Sequence, residues 1–350
     1  MSFTDRLTGK KSTNGNPHIE AVSPASALPG GEIRISGHGL HPAEMQRPTV
    51  LFGGHEGSIV VSSEDFVVAR IPHTAVVDSV VVSTNGHTSN AHQIQVANPI
   101  ADNVHPVTNP AIDQDGNIYV TFSGARGQKV PVSVYKIDQN YSMKPFISEM
   151  MNPTSIAFDR EGQMYVSSRY DGTVYRVAPN GTMSSYAEGM GIATGIAFDK
   201  EENLYVGDRS GTIFKIARDR QIFVFATIEA SVSAYHLAFD AEGSLFVTGP
   251  TISSFDRVYK VDVHGTVSTF YRGLGRPQGL AFDADGNLYV AASLAGQRGI
   301  VKITADAKAS LEVAGSGLVG LAFAPGKSAI LATIGTLHHL AWNIQGRALI

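Results

Sequence analysis

The chain contains no cysteine. Disulfide bonds and zinc–thiolate sites therefore cannot hold its fold, and a cysteine nucleophile is excluded. Tryptophan occurs once, and no apolar run approaches the roughly 18 residues that a membrane-spanning helix needs. The net charge is only -4 at pH 7, which argues against attraction of the whole molecule to nucleic acid or to an acidic membrane. With 43% hydrophobic and 17% charged residues, the composition is that of an ordinary globular protein.

The N-terminal stretch MSFTDRLTGKKSTNGN is polar, and we interpret residues 1–16 as a flexible tail. It lacks the apolar core that a secretory signal requires. We therefore expect a cytoplasmic protein, or an extracytoplasmic one if the sequence is a mature form.

One pattern recurs six times in the rest of the chain. At residues 279–291 it reads GLAFDADGNLYVA, which is a strand, a turn with Asp, Gly and Asn, and a second strand with aromatic and β-branched residues. The central alanines are 40 to 46 residues apart and are Ala111, Ala157, Ala197, Ala238, Ala281 and Ala322. Each unit continues with an alternating third strand, such as VYKVD at 258–262, and a fourth strand. Such units are typical of propeller blades, so we predict a six-bladed β-propeller over residues 109–350.

The repeated motif resembles the NHL repeat and, more loosely, the SMP-30/gluconolactonase-like group of six-bladed propellers. This resemblance implies an architecture but not an activity, because the fold supports many functions. The sixth copy, GLAFAPGKSAILA at 320–332, departs from the pattern because it lacks the turn Asp. The chain ends where the fourth strand of this unit is expected, so the sequence leaves the closure of the ring open.

Residues 17–97 do not show the repeat. Short strand-like segments separated by Gly and Pro, such as EIRISG at 32–37 and SVVVSTNG at 79–86, predict a small β-sandwich. The segments IEAVSPASALPGGEIRISGHGL and VVVSTNGHTSN resemble an IPT/TIG domain, an immunoglobulin-like module, which implies a spacer or interaction role. The proline-containing run after it predicts an extended linker at 98–108. The predicted fold class is therefore all-β, an N-terminal immunoglobulin-like β-sandwich followed by a C-terminal six-bladed β-propeller.

Charged residues are distributed unevenly over the predicted blades. In this strand order, the turns between strands 1 and 2 and between strands 3 and 4 lie on one face, here called the lower face. The loops between strands 2 and 3 and between successive blades lie on the opposite, upper face. Carboxylates concentrate in the lower turns and arginines in the upper loops, where guanidinium groups could bind carboxylate or phosphate bidentately. The predicted ligand-binding residues are Arg126, Arg169, Arg209, Arg257, Arg276, Gln278 and Arg298.

The alternative interpretation of these arginines is structural. Arg257 and Arg298 match positions at which NHL repeats carry a structural arginine, and the others could pair with carboxylates of the blades.

The residue before each first strand is expected to line the mouth of the central channel; these residues are Thr108, Thr154, Thr194, Tyr235, Gln278 and Val319. The gluconolactonase group binds a divalent cation there through Glu, Asn and Asp side chains, where this sequence offers Gln278 and Tyr235. A hard cation prefers several charged oxygen ligands. We therefore predict no metal site and no cofactor, with a divalent cation in the channel only if the chain is a related enzyme. Tyr235 and His236 are weak catalytic candidates for proton transfer, and packing in the core is the alternative for both.

We therefore predict a non-catalytic binding protein whose upper propeller face receives an anionic small molecule, glycan or protein segment. One alternative is a gluconolactonase-like hydrolase or lyase with a site in the channel, and another is a structural assembly protein that acts through the IPT/TIG domain. RNA is not favoured as a partner because few aromatic residues lie among the arginines to stack on bases. A membrane partner is not expected.

Overall fold

The structure, a computed structural model, describes residues 16–42, 46–73 and 78–347. The predicted tail lies outside these ranges except for its last residue. Within them the regular structure consists of strands alone, and no helix there could cross a bilayer. The chain divides into two compact units, Met1–Val96 and Ala97–Ile350.

The N-terminal unit is a β-sandwich, as predicted. Its strands are β1 (His18–Ser23), β2 (Ser26–Ala27), β3 (Glu32–His38), β4 (Thr49–Phe52), β5 (His55–Glu56), β6 (Ser58–Ser62), β7 (Phe66–Arg70), β8 (Ser79–Thr84), β9 (His87–Thr88), β10 (His92–Gln93) and β11 (Gln95–Val96). One sheet has the order β1-β3-β7-β6 and the other β10-β8-β4-β5, with β9 paired to β8. Strands β2 and β11 form a short parallel pair.

Alternation along the strands builds the core of this sandwich. Ile33 and Ile35 of β3 are fully buried, and so are Val50 and Phe52 of β4, whereas the residues between them are more exposed. Because successive side chains of a strand point to opposite faces, each sheet contributes one apolar face to the interior.

The C-terminal unit consists of six four-stranded antiparallel sheets. Blade 6 begins and ends this unit, since its outermost strand is β12 (Asn98–Asp102). The strands of blades 1 to 3 are β13 (Ala111–Ile112), β14 (Ile118–Thr121), β15 (Val134–Ile137), β16 (Met143–Ile147), β17 (Pro153–Phe158), β18 (Met164–Ser168), β19 (Thr173–Val177), β20 (Met183–Ala187), β21 (Ala193–Phe198), β22 (Leu204–Asp208), β23 (Thr212–Ile216) and β24 (Ile222–Thr227).

The remaining strands belong to blades 4 to 6. They are β25 (His236–Phe239), β26 (Leu245–Thr248), β27 (Asp256–Val261), β28 (Val267–Leu274), β29 (Leu280–Phe282), β30 (Leu288–Leu294), β31 (Gln297–Ile303), β32 (Ala309–Ala314), β33 (Leu318–Ala324), β34 (Ser328–Thr333) and β35 (Thr336–Ala341).

The ring is closed by residues that the sequence suggested as a linker. Strand β12 pairs antiparallel with β35 and supplies the missing fourth strand of blade 6. A shared cluster with Ile112 of blade 1 and Leu337 of blade 6 shows that the first and last blades pack together. The linker prediction is thus wrong for residues 98–102, because their backbone groups are bonded in the sheet instead of being free in a connecting segment.

The lower turns are built on a repeated aspartate. In blades 1 to 5 the carboxylate of the first turn residue accepts the backbone N–H of the residue four positions later, at 2.7 to 2.8 Å; these aspartates are Asp113, Asp159, Asp199, Asp240 and Asp283. In blade 5, Asp283 also accepts from the Tyr289 hydroxyl at 3.2 Å and from the Asn287 side chain at 2.8 Å. The lower-face carboxylates predicted from the sequence therefore include a set that is used to shape the turns.

Aromatic rings join each blade to the next. The ring in the second strand of one blade meets the Phe in the first strand of the following blade edge-on, as Tyr165 meets Phe198 at 5.0 Å between centroids. Equivalent pairs join the other blades up to blade 6, at 5.0 to 5.5 Å; they are Tyr119–Phe158, Tyr205–Phe239, Phe246–Phe282 and Tyr289–Phe323. Each such pair contributes roughly 0.5–1.5 kcal/mol beyond the burial of its area.

Blade 6 lacks the turn Asp and instead receives the C-terminal segment. Trp342 packs edge-on against Tyr289 at 5.2 Å, and the backbone N–H of Arg347 donates to the Phe282 carbonyl. The Arg347 guanidinium reaches the Phe239 carbonyl at 3.1 Å, so this segment also ties blades 4 and 5 together.

Replacing Asp283 by Ala should destabilise the propeller by about 2–3 kcal/mol, because a buried hydroxyl and a backbone N–H lose their acceptor. Asp285→Ala, in the same turn but exposed, should change the free energy of unfolding by less than about 0.5 kcal/mol. Urea denaturation of both variants checks this, and equal effects would contradict the structural role of Asp283.

A chain that starts at Ala97 should keep a cooperative thermal transition, whereas one that starts at Asn103 should melt roughly 5 °C lower or more, because it lacks β12. Differential scanning calorimetry of the two truncated chains measures this. Identical midpoints would show that β12 does not close the ring.

Candidate functional site

The strand order puts the upper loops of all six blades on one side. Among them, the segments after β14, β18 and β22 contribute Arg126, Arg169 and Arg209, one from each of the first three blades. Arg126 is exposed, and the other two are half-buried.

These three arginines, here called the arginine trio, lie close together. Burial lowers the pKa of Arg169, and the nearby positive charges of Arg209 and Arg126 lower it further. Nη2 of Arg169 donates to the Gly124 carbonyl at 3.1 Å, whereas its buried Nε has no hydrogen-bond partner among the described residues. The structure therefore brings together three of the seven predicted ligand-binding residues from three different blades.

The trio is not neutralised by carboxylates within the described ranges. None of the ion pairs found there within 4.0 Å includes Arg126, Arg169 or Arg209. On the lower face, by contrast, Lys260 pairs with Asp240 at 3.2 Å and Arg218 with Glu202 at 2.9 Å. The lower face thus contains ion pairs, whereas no ion pair within 4.0 Å in the described ranges involves the trio.

Arg298 has a different environment. Its Nη1 donates to the Arg276 carbonyl at 2.8 Å, its Nε to the Leu318 carbonyl at 3.2 Å, and its Nη2 to Oε1 of Gln278 at 2.6 Å. Burial, and then the charge of Arg276, lowers the pKa of Arg298 to about 10. Because its donors are occupied by groups around blades 5 and 6, Arg298 acts as a structural clamp, which agrees with the alternative interpretation drawn from the sequence.

Arg257 and Arg276 are not among the charges that affect Arg169. Arg257 lies half-buried on β27, paired in register with Arg272, and interacts with the hydroxyl of Tyr259. Arg276 is exposed beside Arg298. Among the predicted ligand-binding residues, Arg276, Gln278 and Arg298 therefore form a second group.

Residues predicted to line the channel mouth form hydrogen bonds between neighbouring blades. Thr108 Oγ1 donates to the Thr154 carbonyl at 2.6 Å, and the Tyr235 N–H donates to Thr194 Oγ1 at 3.1 Å. Five of the six residues are buried, and Gln278 is half-buried.

Asn109 shows how closely the backbones approach near the axis. Its side chain donates to the Leu280 carbonyl at 2.8 Å and accepts from the Leu321 N–H at 3.1 Å. A Cβ at Gly279 or Gly320 would overlap Asn109, so glycine is required at both positions.

Tyr235 and His236, the weak catalytic candidates, are 1% and 2% exposed. The Tyr235 hydroxyl donates to the Glu229 carbonyl, and its pKa is raised, first by burial and then by Tyr259, Asp208 and Glu229. Burial, followed by the charge of Arg298, lowers the pKa of His236 to about 3. Its two ring nitrogens have no hydrogen-bond partner in the described part of the chain. Both side chains therefore lie in the core, and His236 is uncharged at neutral pH.

The donor set near the axis does not suit a divalent cation. Gln278 uses its carbonyl oxygen for Arg298, and the Tyr235 hydroxyl is turned to a backbone carbonyl. Across residues 16–42, 46–73 and 78–347, no group of three or more His, Asp or Glu residues could hold a metal ion.

Sequence reasoning missed a groove on the upper face. It has a volume of about 570 Å³ and is lined by Asp102, Asn103, Val104, His105, Phe122, Gly335 and Thr336. Four of these residues, Asp102 to His105, fall in the predicted linker. Because the linker shows no strand pattern, nothing in the sequence indicated a groove there.

Comparisons with known proteins support both units. Residues 17–98 match the IPT/TIG domain family, so the N-terminal unit is an IPT/TIG domain. No curated protein sequence matches the chain.

Solved structures similar to this chain are β-propellers of several activities. A protein assigned as a gluconolactonase has a TM-score of 0.60 and 16% identity over 73% of this chain and 94% of its own. An auxiliary nutrient binding protein from Bacteroides thetaiotaomicron has a TM-score of 0.56 and 11% identity over 93% of this chain and 98% of its own. A catalytically inactive virginiamycin B lyase from Staphylococcus aureus, solved with quinupristin, has a TM-score of 0.51 and 15% identity over 88% of this chain and 98% of its own. At these identities the likeness establishes the fold alone.

His236 should make the protein less stable in mild acid. Its pKa is 6.5 in the unfolded chain and about 3 in the folded one, so between these values only the unfolded chain binds the proton. The free energy of unfolding should therefore fall as pH decreases from 6.5 towards 3, by up to about 1.4 kcal/mol per pH unit. His236→Gln should remove this contribution, as urea denaturation from pH 7 to pH 4.5 would measure.

The matched control is His339→Gln, because the pKa of His339 is also lowered by burial but the ring is less buried. It should retain most of the pH dependence. The same slope in His236→Gln as in the unaltered chain would contradict the assignment.

Proposed function

We propose that this chain is a non-catalytic binding protein whose propeller receives an anionic ligand on its upper face. The ligand classes are a small molecule, a glycan or a protein segment. The observation that carries the proposal is the arginine trio, whose positive charges come from three blades without a carboxylate within 4.0 Å in the described ranges. Like charges held together are unfavourable, and an anion bound between them relieves this repulsion.

The half-buried position of Arg169 and Arg209 favours binding over simple solvation. A partly desolvated guanidinium binds an anion more strongly than one in water, because the effective dielectric constant is lower. Arg126, which is exposed, completes the trio at its outer side. The likeness to an auxiliary nutrient binding protein supports a binding role. This likeness covers 93% of this chain, which is more than residues 97–350 make up, so it also includes part of the N-terminal unit.

The second candidate is a lactonase-like hydrolase or a lyase, which the likeness to an assigned gluconolactonase and to virginiamycin B lyase supports. Against it stands the burial of Tyr235 and His236. Catalytic ring opening of an aldonolactone or a cyclic depsipeptide by the purified protein would favour this candidate. Assembly through the IPT/TIG domain would instead be favoured if the chain self-associates and loses this property when residues before Ala97 are removed.

Replacing Arg169 and Arg209 together by Ala should weaken the binding of a polyanion such as heparin at least about tenfold, since two charge-assisted contacts are lost. Isothermal titration calorimetry at low ionic strength measures the affinity. Arg160→Ala with Arg218→Ala is the matched control, because it removes the same charge from lower turns of the same two blades. Equal affinities for the two double variants would overturn the proposed function.

A further inference from the structure

Two upper loops, one within blade 4 and one that joins blade 3 to blade 4, carry large apolar side chains into solvent. Ile252 is 94% exposed, Phe255 65% and Val232 43%. Ile252 and Phe255 belong to the loop between β26 and β27, and Val232 belongs to the loop between β24 and β25. These three residues are called the apolar tip below.

The loop that bears Ile252 and Phe255 is held in place by a buried carboxylate. Asp256 is 2% exposed, and its Oδ1 accepts the Thr251 N–H at 3.1 Å and the Thr251 hydroxyl at 2.6 Å. Thr251 Oγ1 then accepts the Ser253 N–H at 3.0 Å, and Ser253 Oγ accepts the Phe255 N–H at 3.0 Å. Such side-chain bonds to the backbone fix a loop, so less conformational entropy is lost when a partner binds.

Hydrogen bonds connect the apolar tip directly to the arginine trio. Arg209 exchanges bonds with Ser231, whose N–H donates to the Arg209 carbonyl at 3.1 Å and whose carbonyl accepts Arg209 Nε at 3.4 Å. The next residue, Val232, donates its N–H to the Pro250 carbonyl at 2.9 Å, two residues before Ile252. The positive trio and the apolar tip are therefore neighbours on the upper face.

We infer that this surface binds an acidic protein segment in which carboxylates stand close to a large apolar side chain. The carboxylates would contact the arginine trio, and the apolar side chain would pack on Ile252 and Phe255. This inference rests on the proposed function and specifies its ligand class. A small anion or a charged glycan would use the trio but would leave the apolar tip exposed.

An anionic lipid surface has a similar combination of charge and apolar character but fits less well. Exposed carboxylates follow the outer strands of the first three blades on the same upper face, at Glu149, Glu188 and Glu229. A planar anionic membrane would meet these carboxylates together with the trio, and attraction to such membranes normally needs a cluster of several basic residues. A peptide covers a smaller area than a membrane, so it does not have to meet all three carboxylates at once, although Glu229 lies in the same loop as Val232.

The test uses labelled synthetic peptides in pairs of equal charge. One peptide of each pair contains two aspartates, then a spacer of none to four glycines, then Leu-Phe. The other peptide has Ser-Ser in place of Leu-Phe. The proteins are the unaltered chain, Ile252→Ser with Phe255→Ser, and the control Val263→Ser, which changes an exposed apolar residue in a lower turn of the same blade. Fluorescence anisotropy gives the affinities, and circular dichroism verifies that each variant is folded.

The unaltered chain and Val263→Ser should prefer at least one Leu-Phe peptide over its Ser-Ser partner by about tenfold, as burial of one large apolar side chain allows. The tip variant should lose this preference but retain heparin binding.

If the unaltered chain shows no preference at any spacing, or if the tip variant keeps it, the inference is wrong while the proposed function stands. If instead none of the arginine variants loses heparin binding, the proposed function is wrong. Tip-dependent binding to vesicles of phosphatidylcholine and phosphatidylserine, without a peptide preference, would overturn the inference in favour of a membrane.

Discussion

The edge-on contact between aromatic rings of successive blades is the constraint on which the propeller depends. Tyr165 meets Phe198 at 5.0 Å, and the same geometry recurs from blade to blade. A single four-stranded sheet cannot cover both of its faces, so each blade is stable only between two neighbours. In blades 1, 2 and 5 the turn aspartate also accepts the hydroxyl of the tyrosine in this contact, as Asp283 does from Tyr289. In these blades the turn, the ring and the neighbouring blade are therefore linked, whereas Phe246 of blade 4 makes the same contact without a hydroxyl.

The side chains that stabilise the propeller are concentrated on the lower face and near the axis. The turn aspartates, the C-terminal segment and the tightly packed Asn109 leave little freedom there, because each side chain already has partners. The residues of the upper loops differ between blades. Arg298 is committed to backbone carbonyls, whereas the arginine trio retains unpaired positive charge within the described ranges. The proposed binding role therefore rests on the upper loops of blades 1 to 4.

The fold was largely predictable from the sequence because it depends on local repetition. The copies of the AFD and LYV segments encode strands and turns with a period near 40 residues, and this pattern gives both the blade and the number of blades. The closure by Asn98–Asp102 was not predictable in this way. Its five residues resemble a linker in isolation, and only the unpaired edge of β35, more than 200 residues later, gives them a partner.

The site was predictable only in part. The strand order indicated which face carries Arg126, Arg169 and Arg209, because it follows from the repeat. The strand order alone did not distinguish them from Arg298, for which only the resemblance to the NHL repeat suggested a structural role, because the difference lies in the backbone carbonyls within reach. The apolar tip was missed for a similar reason. Ile252 and Phe255 lie among serines in the sequence, and their exposure results from the bonds of Asp256 to the loop, which no periodic pattern encodes.

Arginine-specific footprinting with phenylglyoxal, read by mass spectrometry with and without a bound polyanion, tests the central claim most directly. The account predicts that the ligand protects Arg126, Arg169 and Arg209 while Arg160 and Arg218 on the lower face react as before. Protection of the lower-face arginines, or equal protection of both sets, would contradict it.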